Sequence, residues 1–460
     1  MILSINPATG ETLATFEAHT QQTIDQCLSA ALSAQKAWRE RSVMDRMHVL
    51  SSLARVLRLR KDDYARLITL EMGKPYSEAQ AEVEKCAVTC DYYAQNAPRL
   101  LDDEVVASSA SDSRVVYDPL GILLAVMPWN YPFWQAMRAV VPALAAGNAV
   151  MLKHASNVPQ CTLALASLFV EAGVPDGLFS ALLLDSSFVR GLIEDPRIAA
   201  VTFTGSTPVG RTIASCAGHA LKKQVLELGG SDPFIVLADA DVQAAAKAAV
   251  KARFQNTGQS CISAKRFIVE AAIADEFADA MTNHVAQLVI GNPMLPGTEI
   301  GPMARANLRD ELHAQVVATI AQGAKLRIGG KPLDGAGYFY APTVLDHVSV
   351  TMTAAREETF GPVAAIVRVH NADEAVAVAN DTEFGLGAAL WTSDPVRAQL
   401  LTRRIEAGAV FVNGTVASDA RLPFGGLKQS GYGRELGAHG LREFTNIKTV
   451  WTGPARPVNP

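Results

Sequence analysis

The stretch "FQNTGQSCIS", residues 254 to 263, places one thiol, Cys261, among small polar neighbours just before the apolar run "AKRFIV". A thiol at a loop or element end is a nucleophile once it is deprotonated, and Gly258, Gln259 and Ser260 leave room beside it for a substrate. The same neighbours fit a packed, inert cysteine, because free thiols are among the most buried side chains. Glu227, in "LELGGSDP", follows an apolar strand pattern and precedes two glycines that let backbones approach closely. Desolvated there, its carboxyl has a raised pKa and suits a general base; left at the surface, it is an ordinary strand-end glutamate. Asn130 is bracketed by aromatics and prolines in "VMPWNYPFWQAMR". Packing accounts for Trp129 and Trp134, whereas a buried amide needs partners, and an N–H2 aimed at a developing oxyanion is one use for it.

A fourth segment, "VTFTGSTPVGRTIA", reads as a strand, a tight turn at Gly205 and Ser206, and a helix start. Free N–H groups and the positive helix end offer themselves there to a phosphate, although the full G-x-G-x-x-G spacing is missing. No metal is expected. Cys86 and Cys90 are spaced to share a helix face, but no second Cys/His pair at ligand spacing completes a zinc site. The 6 cysteines are too scattered for a disulfide framework.

The elements that must position these residues follow from periodicity. Residues 20 to 100 are helical in pattern, broken at "EMGKPYSEA". "DSRVVYDPLGILLAVMPWN" then gives an alternating strand, a turn at Pro119 and Gly121, and a buried strand. To about residue 228, strand patterns alternate with helical ones, which implies βαβ units in a mostly parallel, doubly wound sheet. After "LELGGSDPFIVLADAD" the alternation restarts, in "AKRFIVE", "AKLRIGG", "AAIVRV", "GAALWT" and "GAVFVN", as a second α/β domain. With 460 residues, 49% of them apolar, the chain has enough material for two or three domains. A net charge of -5 without a Lys/Arg block argues against nucleic acid or an anionic membrane as partner and leaves small molecules. "MILSINPATGETLATFEAH" has no signal-peptide pattern, and no apolar run approaches the ~20 residues of a membrane span, so a cytoplasmic protein is expected.

With "PWNYP", "FTGST", "LELGGSDP", "NTGQSC", "EETFGPV" and "PFGGLKQSGYGRE" in this order, the sequence resembles the aldehyde dehydrogenase superfamily over nearly its whole length. "MPWNYPFWQAMR", "LKHASNVPQC" and "VASDARLPFGG" are similar to its bacterial succinate-semialdehyde dehydrogenases. The resemblance implies an α/β fold: a Rossmann-type cofactor domain (1–104 and 119–228), a second α/β catalytic domain (229–428), and a small β oligomerisation arm (105–118 and 440–460). It makes Cys261 the nucleophile, Asn130 and the Cys261 N–H the oxyanion donors, and Glu227 the base that activates water to hydrolyse a thioester. It also brings a nicotinamide cofactor. Gly205 and Ser206 would face the pyrophosphate, Lys153 and Glu358 the ribose hydroxyls, and Phe360 the nicotinamide, with Met127, Trp129 and Leu228 completing the cleft.

Two departures from relatives carry information. Three residues after Lys153, where many NAD-preferring relatives have a glutamate, stands Ser156, which donates to a 2′-phosphate instead of repelling it. NADP is therefore expected to be accepted and preferred over NAD. Two residues after the nucleophile stands Ser263, so a disulfide that disables Cys261 is not expected. The distal carboxylate of succinate semialdehyde needs a cation and a donor. Arg138, eight residues after Asn130, and Ser418 fit those parts, with Trp134 as a wall. Alternatives are glutarate semialdehyde or a broad aldehyde range, a non-redox cysteine hydrolase or acyltransferase, and a binding or structural protein. The strand-like "SASDSRVVYDP" and "FTNIKTVWTG" correspond to exchanged family segments and imply a homodimer or homotetramer.

Overall fold

The computed structural model describes residues 1–453. A hairpin of β1 (Ile2–Ile5) and β2 (Thr12–Phe16) leads into four helices, α1 (Gln21–Arg39), α2 (Val43–Leu59), α3 (Lys61–Met72) and α4 (Tyr76–Leu100). Thr20 and Ser42 start the first two by accepting from the Thr23 and Asp45 N–H groups. The break expected at "EMGKPYSEA" falls between α3 and α4, with Gly73 closing one helix and Pro75 preceding the next.

After β3 (Glu104–Val105) and β4 (Asp112–Pro119) comes the wound segment. It runs β5 (Ile122–Met127), α5 (Trp134–Ala145), β6 (Ala149–His154), α6 (Pro159–Glu171) and β7 (Phe179–Leu182). It continues through α7 (Phe188–Glu194), β8 (Ile198–Thr204), α8 (Thr207–His219) and β9 (Lys223–Glu227). Every residue of β5 and β6 is buried, as a strand covered on both faces requires. The parallel order β9-β8-β5-β6-β7 means that the chain winds one way from β5 and returns to wind the other way from β8. The carboxyl ends of β5 and β8 flank this reversal, where such sheets form a ligand crevice.

The second sheet holds β10 (Asp232–Val236), β11 (Ala264–Glu270), β12 (Lys325–Ile328), β13 (Thr343–Asp346), β14 (Val363–Val369), β15 (Gly387–Trp391) and β16 (Ala409–Val412). Its order is β12-β13-β14-β11-β10-β15-β16, antiparallel only at β12. Between β10 and β11 runs α9 (Val242–Phe254). The two sheets have separate apolar cores, and the chain passes from one to the other at Gly229 and Gly230. β17 (Gly431–Tyr432) returns to the first sheet antiparallel to β9.

β18 (Thr445–Thr452) pairs with β4 along its full length, Thr445 opposite Pro119 and Thr452 opposite Asp112, and β3 completes a three-stranded arm. The expected 440–460 segment began too early. Gly437–Glu443 is a helix, with Gly437 and Gly440 packed inside, and extended structure starts only at Thr445. Residues 454–460 of that expectation lie outside the described residues.

Candidate active site

α9 aims its carboxyl end at the crevice between the sheets and then stops in a strained turn. Asn256 and Thr257 adopt φ of 55° and 54°, followed by Gly258 at 70°. Left-handed backbone costs a non-glycine residue about 1–3 kcal/mol and persists only where the surroundings over-determine it. Here they do. Glu78 accepts the Asn256 N–H at 2.8 Å, the Asn256 amide donates to the Asn130 and Gln259 carbonyls at 3.0 Å, and the Arg253 guanidinium donates to Thr359 O at 2.8 Å. Beyond the turn, the buried Lys265 ammonium gathers the carbonyls of Ser260, Cys261 and Ser263 at 3.0, 2.9 and 3.2 Å. Cys261 is thus presented half-buried on a loop whose carbonyls are turned away and tied down.

No acceptor among the described residues takes the Cys261 N–H. The Asn130 amide donates to Gln259 O at 3.0 Å and so stands beside the same loop with its second N–H uncommitted. His154, from the end of β6, fixes the Asn130 turn through Pro132 O at 2.7 Å. Burial pushes the Cys261 thiol up to about 12, against the opposing pull of Arg138 and Lys265. It is a protonated thiol at neutral pH, awaiting a base.

Glu227 ends β9 fully inside, and neither carboxyl oxygen has a hydrogen-bond partner. Burial first, and the Glu435 carboxyl second, raise its pKa well above the ordinary carboxylate range. The segment "PFGGLKQSGYGRE" makes this pocket. β17 pairs Gly431 with Glu227, Ser430 donates to Gly229 O at 2.6 Å, and Gly425 leaves the space, since a Cβ there would lie 2.7 Å from Glu227 Oε1. Glu435 is ion-paired with Arg138, both side chains being almost completely buried.

A cavity of about 170 Å³ opens on Cys261 and Ser260, and its lining includes Arg138, Trp134 and Ser418. The three expected substrate residues are therefore brought together with the thiol. No histidine lines the cavity, so the imidazole that a non-redox cysteine hydrolase needs is not beside Cys261. Arg138 lies on the wholly buried α5, whose N-terminus is capped by Glu82 accepting the Phe133 and Trp134 N–H groups at 2.9 Å. Its guanidinium faces the Phe424 ring, 4.6 Å from the centroid, as well as Glu435. Breaking such a buried pair typically costs about 3–5 kcal/mol, so Arg138→Ala is expected to lower stability.

The expected cofactor residues lie along one edge of the first sheet. Met127 ends β5, Lys153 is the penultimate residue of β6, Gly205 and Ser206 follow β8, and Leu228 follows β9. Ser206 starts α8 without a side-chain cap, leaving the first N–H groups of a 13-residue helix open, and the buried Thr204 hydroxyl beside them has no partner. Both observations fit an incoming phosphate. Lys153 is buried with its pKa lowered by desolvation, and Ser156 is exposed nearby. Trp129 and Phe360 meet edge to face at 5.8 Å. The Glu358 carboxylate accepts the Gly230 N–H at 3.1 Å and lies 3.5 Å from Lys265, tying the far wall of the cleft to the nucleophile loop.

Two residues of this site had no signal in the sequence. Glu435 sits in the "GYGRE" motif, but nothing there reveals Arg138 as its partner, and Lys85 is the single lysine of an amphipathic helix, with no local mark of a site.

The family model described as the aldehyde dehydrogenase family matches residues 1–450. A Synechocystis protein named probable succinate-semialdehyde dehydrogenase [NADP(+)] is 52% identical over 450 residues, covering 98% of this chain and 99% of that one. The Escherichia coli K12 succinate semialdehyde dehydrogenase [NAD(P)+] Sad is 50% identical over 449 residues, covering 98% and 97%. The crystal structure of the Streptococcus pyogenes succinic semialdehyde dehydrogenase in complex with NADP+ superimposes with a TM-score of 0.96 at 36% identity, covering 99% of this chain and all of the other. Motifs, fold and likeness over the full length agree, and the chain belongs to the aldehyde dehydrogenase family.

Proposed function

We propose that this chain oxidises succinate semialdehyde to succinate, with NADP as the preferred acceptor and NAD as a second. The observation that carries this is the cavity in which Cys261 is joined by Arg138, Trp134 and Ser418, a thiol for the aldehyde end together with polar groups for a carboxylate end. The names of the Synechocystis and E. coli relatives and of the S. pyogenes complex support the same substrate and cofactor.

In this reading the Cys261 thiol gives up its proton to solvent water, and its sulfur attacks the carbonyl carbon to form a thiohemiacetal. The Cys261 N–H and the free N–H of the Asn130 amide hold the oxygen as charge develops on it. A dinucleotide bound along the strand ends supplies the acceptor for the two electrons that leave as hydride. The remaining thioester is hydrolysed by water whose proton passes to the ionised form of Glu227, which its raised pKa makes a stronger acceptor, and from there to the departing Cys261 sulfur, releasing the acid and the thiol. Glu227 makes no hydrogen bond, so no contact has to break before its carboxyl turns toward that water.

Rates of absorbance gain at 340 nm with succinate semialdehyde, glutarate semialdehyde and butanal, each with NADP and NAD, test the reading. A preference for succinate semialdehyde and NADP supports it, and equal use of butanal rejects the substrate. Ser156→Glu is expected to lower kcat/KM with NADP at least ~10-fold and to spare NAD, since like charges brought together cost several kcal/mol. An unchanged cofactor ratio would place the 2′-phosphate elsewhere.

The chain is further proposed to act as a homodimer or homotetramer through the β4–β18 arm. Ile447 and Trp451 are 62% and 54% exposed on β18, an apolar edge that a partner would cover. Light scattering should give twice or four times the 49.0 kDa chain mass. A monomer at working concentration rejects this.

A further inference from the structure

We propose that Lys85 is the cation that selects aldehydes with a carboxylate at the far end, its ammonium and the Ser418 hydroxyl receiving that carboxylate together. The inference rests on the substrate reading above and adds the residue that enforces it.

Lys85 reaches from α4 into the Cys261 cavity. Its ammonium donates to Ser418 Oγ at 2.7 Å and sits 4.3 Å from the centre of the Trp134 ring. Charge balance around it is what singles it out. Arg138 is matched by Glu435, and Lys74 by Glu82 at 2.5 Å. Asp419, the acid nearest in the chain to Ser418, is held by the Arg421 side chain at 2.6 and 2.8 Å. Glu78 is occupied by the Asn256 N–H, and Lys251 is exposed at the mouth. Among the described residues, no carboxylate lies within ion-pair distance of Lys85.

An ammonium carries three donors, and one here goes to Ser418. The hydroxyl that accepts it keeps its own proton to give, so the pair presents up to three donors to an anion. A half-buried cation without a counter-charge is unfavourable, and a substrate carboxylate supplies the missing charge. The groups facing Lys85 agree. Burial first and Arg138 from α5 second push its ammonium down to about 8, against Cys86 and Glu82 on its own helix and Asp419 beside Ser418. The charge is therefore present below about pH 8 and lost above it.

The test is steady-state kinetics of the full-length enzyme with NADP, comparing Lys85→Met and Lys85→Arg with the wild type, on succinate semialdehyde and on butanal. Lys85→Met is expected to raise KM for succinate semialdehyde at least ~30-fold, with butanal within about 3-fold and Lys85→Arg recovering part of the loss. Equal losses on both aldehydes, or no loss on the semialdehyde, overturn the proposal. Should Lys85→Met prove insoluble, the wild-type pH profile decides. KM for succinate semialdehyde must climb from pH 7 to 9.5 while that for butanal stays level, and two level profiles overturn the proposal. A wild type that does not prefer succinate semialdehyde to butanal rejects the substrate reading itself. A wild type that prefers it, with Lys85→Met undiminished, rejects Lys85 alone.

Discussion

Replacing Cys261 by alanine is expected to lower kcat/KM for succinate semialdehyde at least ~10⁴-fold, while NADP affinity, measured by titration calorimetry, stays within about 3-fold. Removing a covalent nucleophile removes a whole reaction path, and losses of this size or larger are normal for such groups. The dinucleotide is expected along the strand ends of the first sheet, whereas Cys261 sits on the loop before β11, so binding and chemistry should separate. Retention of more than about 1% of activity would assign the nucleophile to another residue.

The same thiol sets a pH dependence. Burial raises it to about 12, so the folded enzyme holds it protonated at neutral pH, and the ionised fraction grows with each step toward alkali. The rate of the first turnover, followed in a stopped-flow instrument, is expected to rise from pH 7 to 10. Arg138 and Lys265 oppose the shift, which is why their positive charges beside the loop matter to the nucleophile as well as to packing. A first-turnover rate that is level over that range would mean that the proton is lost to a partner already ionised at pH 7.

Glu227→Gln is expected to release about one equivalent of reduced cofactor per subunit in a burst and then to stall, with turnover down about 10²–10⁴-fold. The burst discriminates between roles. A base needed only for thioester hydrolysis leaves acylation and hydride transfer intact, whereas loss of the burst would place Glu227 at the thiol. The fold should tolerate the change, because a neutral amide replaces a carboxyl that is already driven toward its neutral form by burial and by Glu435. The sign follows from the raised pKa. The folded state prefers the protonated carboxyl, so this group contributes stability below its unfolded value near 4.5, and that contribution is lost as pH rises through the folded value. The variant should lack that part of the pH dependence of chemical denaturation.

Much of this protein was legible along the chain. Apolar runs such as "ILLAVM" and "AVMLK", bounded by Gly, Pro and Asn, gave the buried strands, because a strand covered on both faces has no polar alternation to disguise it. Cys261, Glu227 and Asn130 stood out because each sits in a short segment where small residues or prolines are otherwise hard to explain. The arm was legible as two strands. Its start was misplaced because "GAHGLRE" carries two glycines and no strong period, and its helix is settled by packing.

Charge partnership was decided only in three dimensions. Arg138 is expected along the chain as the cation for the substrate, and the fold pairs it inside the core with Glu435, nearly three hundred residues later. Lys85 is the single lysine of α4 and carries no local mark of a site, yet the fold leaves it facing Ser418, 333 residues away, without a counter-ion. Apolar periodicity is a local property, because each element must bury its own face, and so it is written in consecutive residues. The balance of charge in a cavity depends on which elements converge there and on how little water they admit, and no local stretch of sequence contains that information.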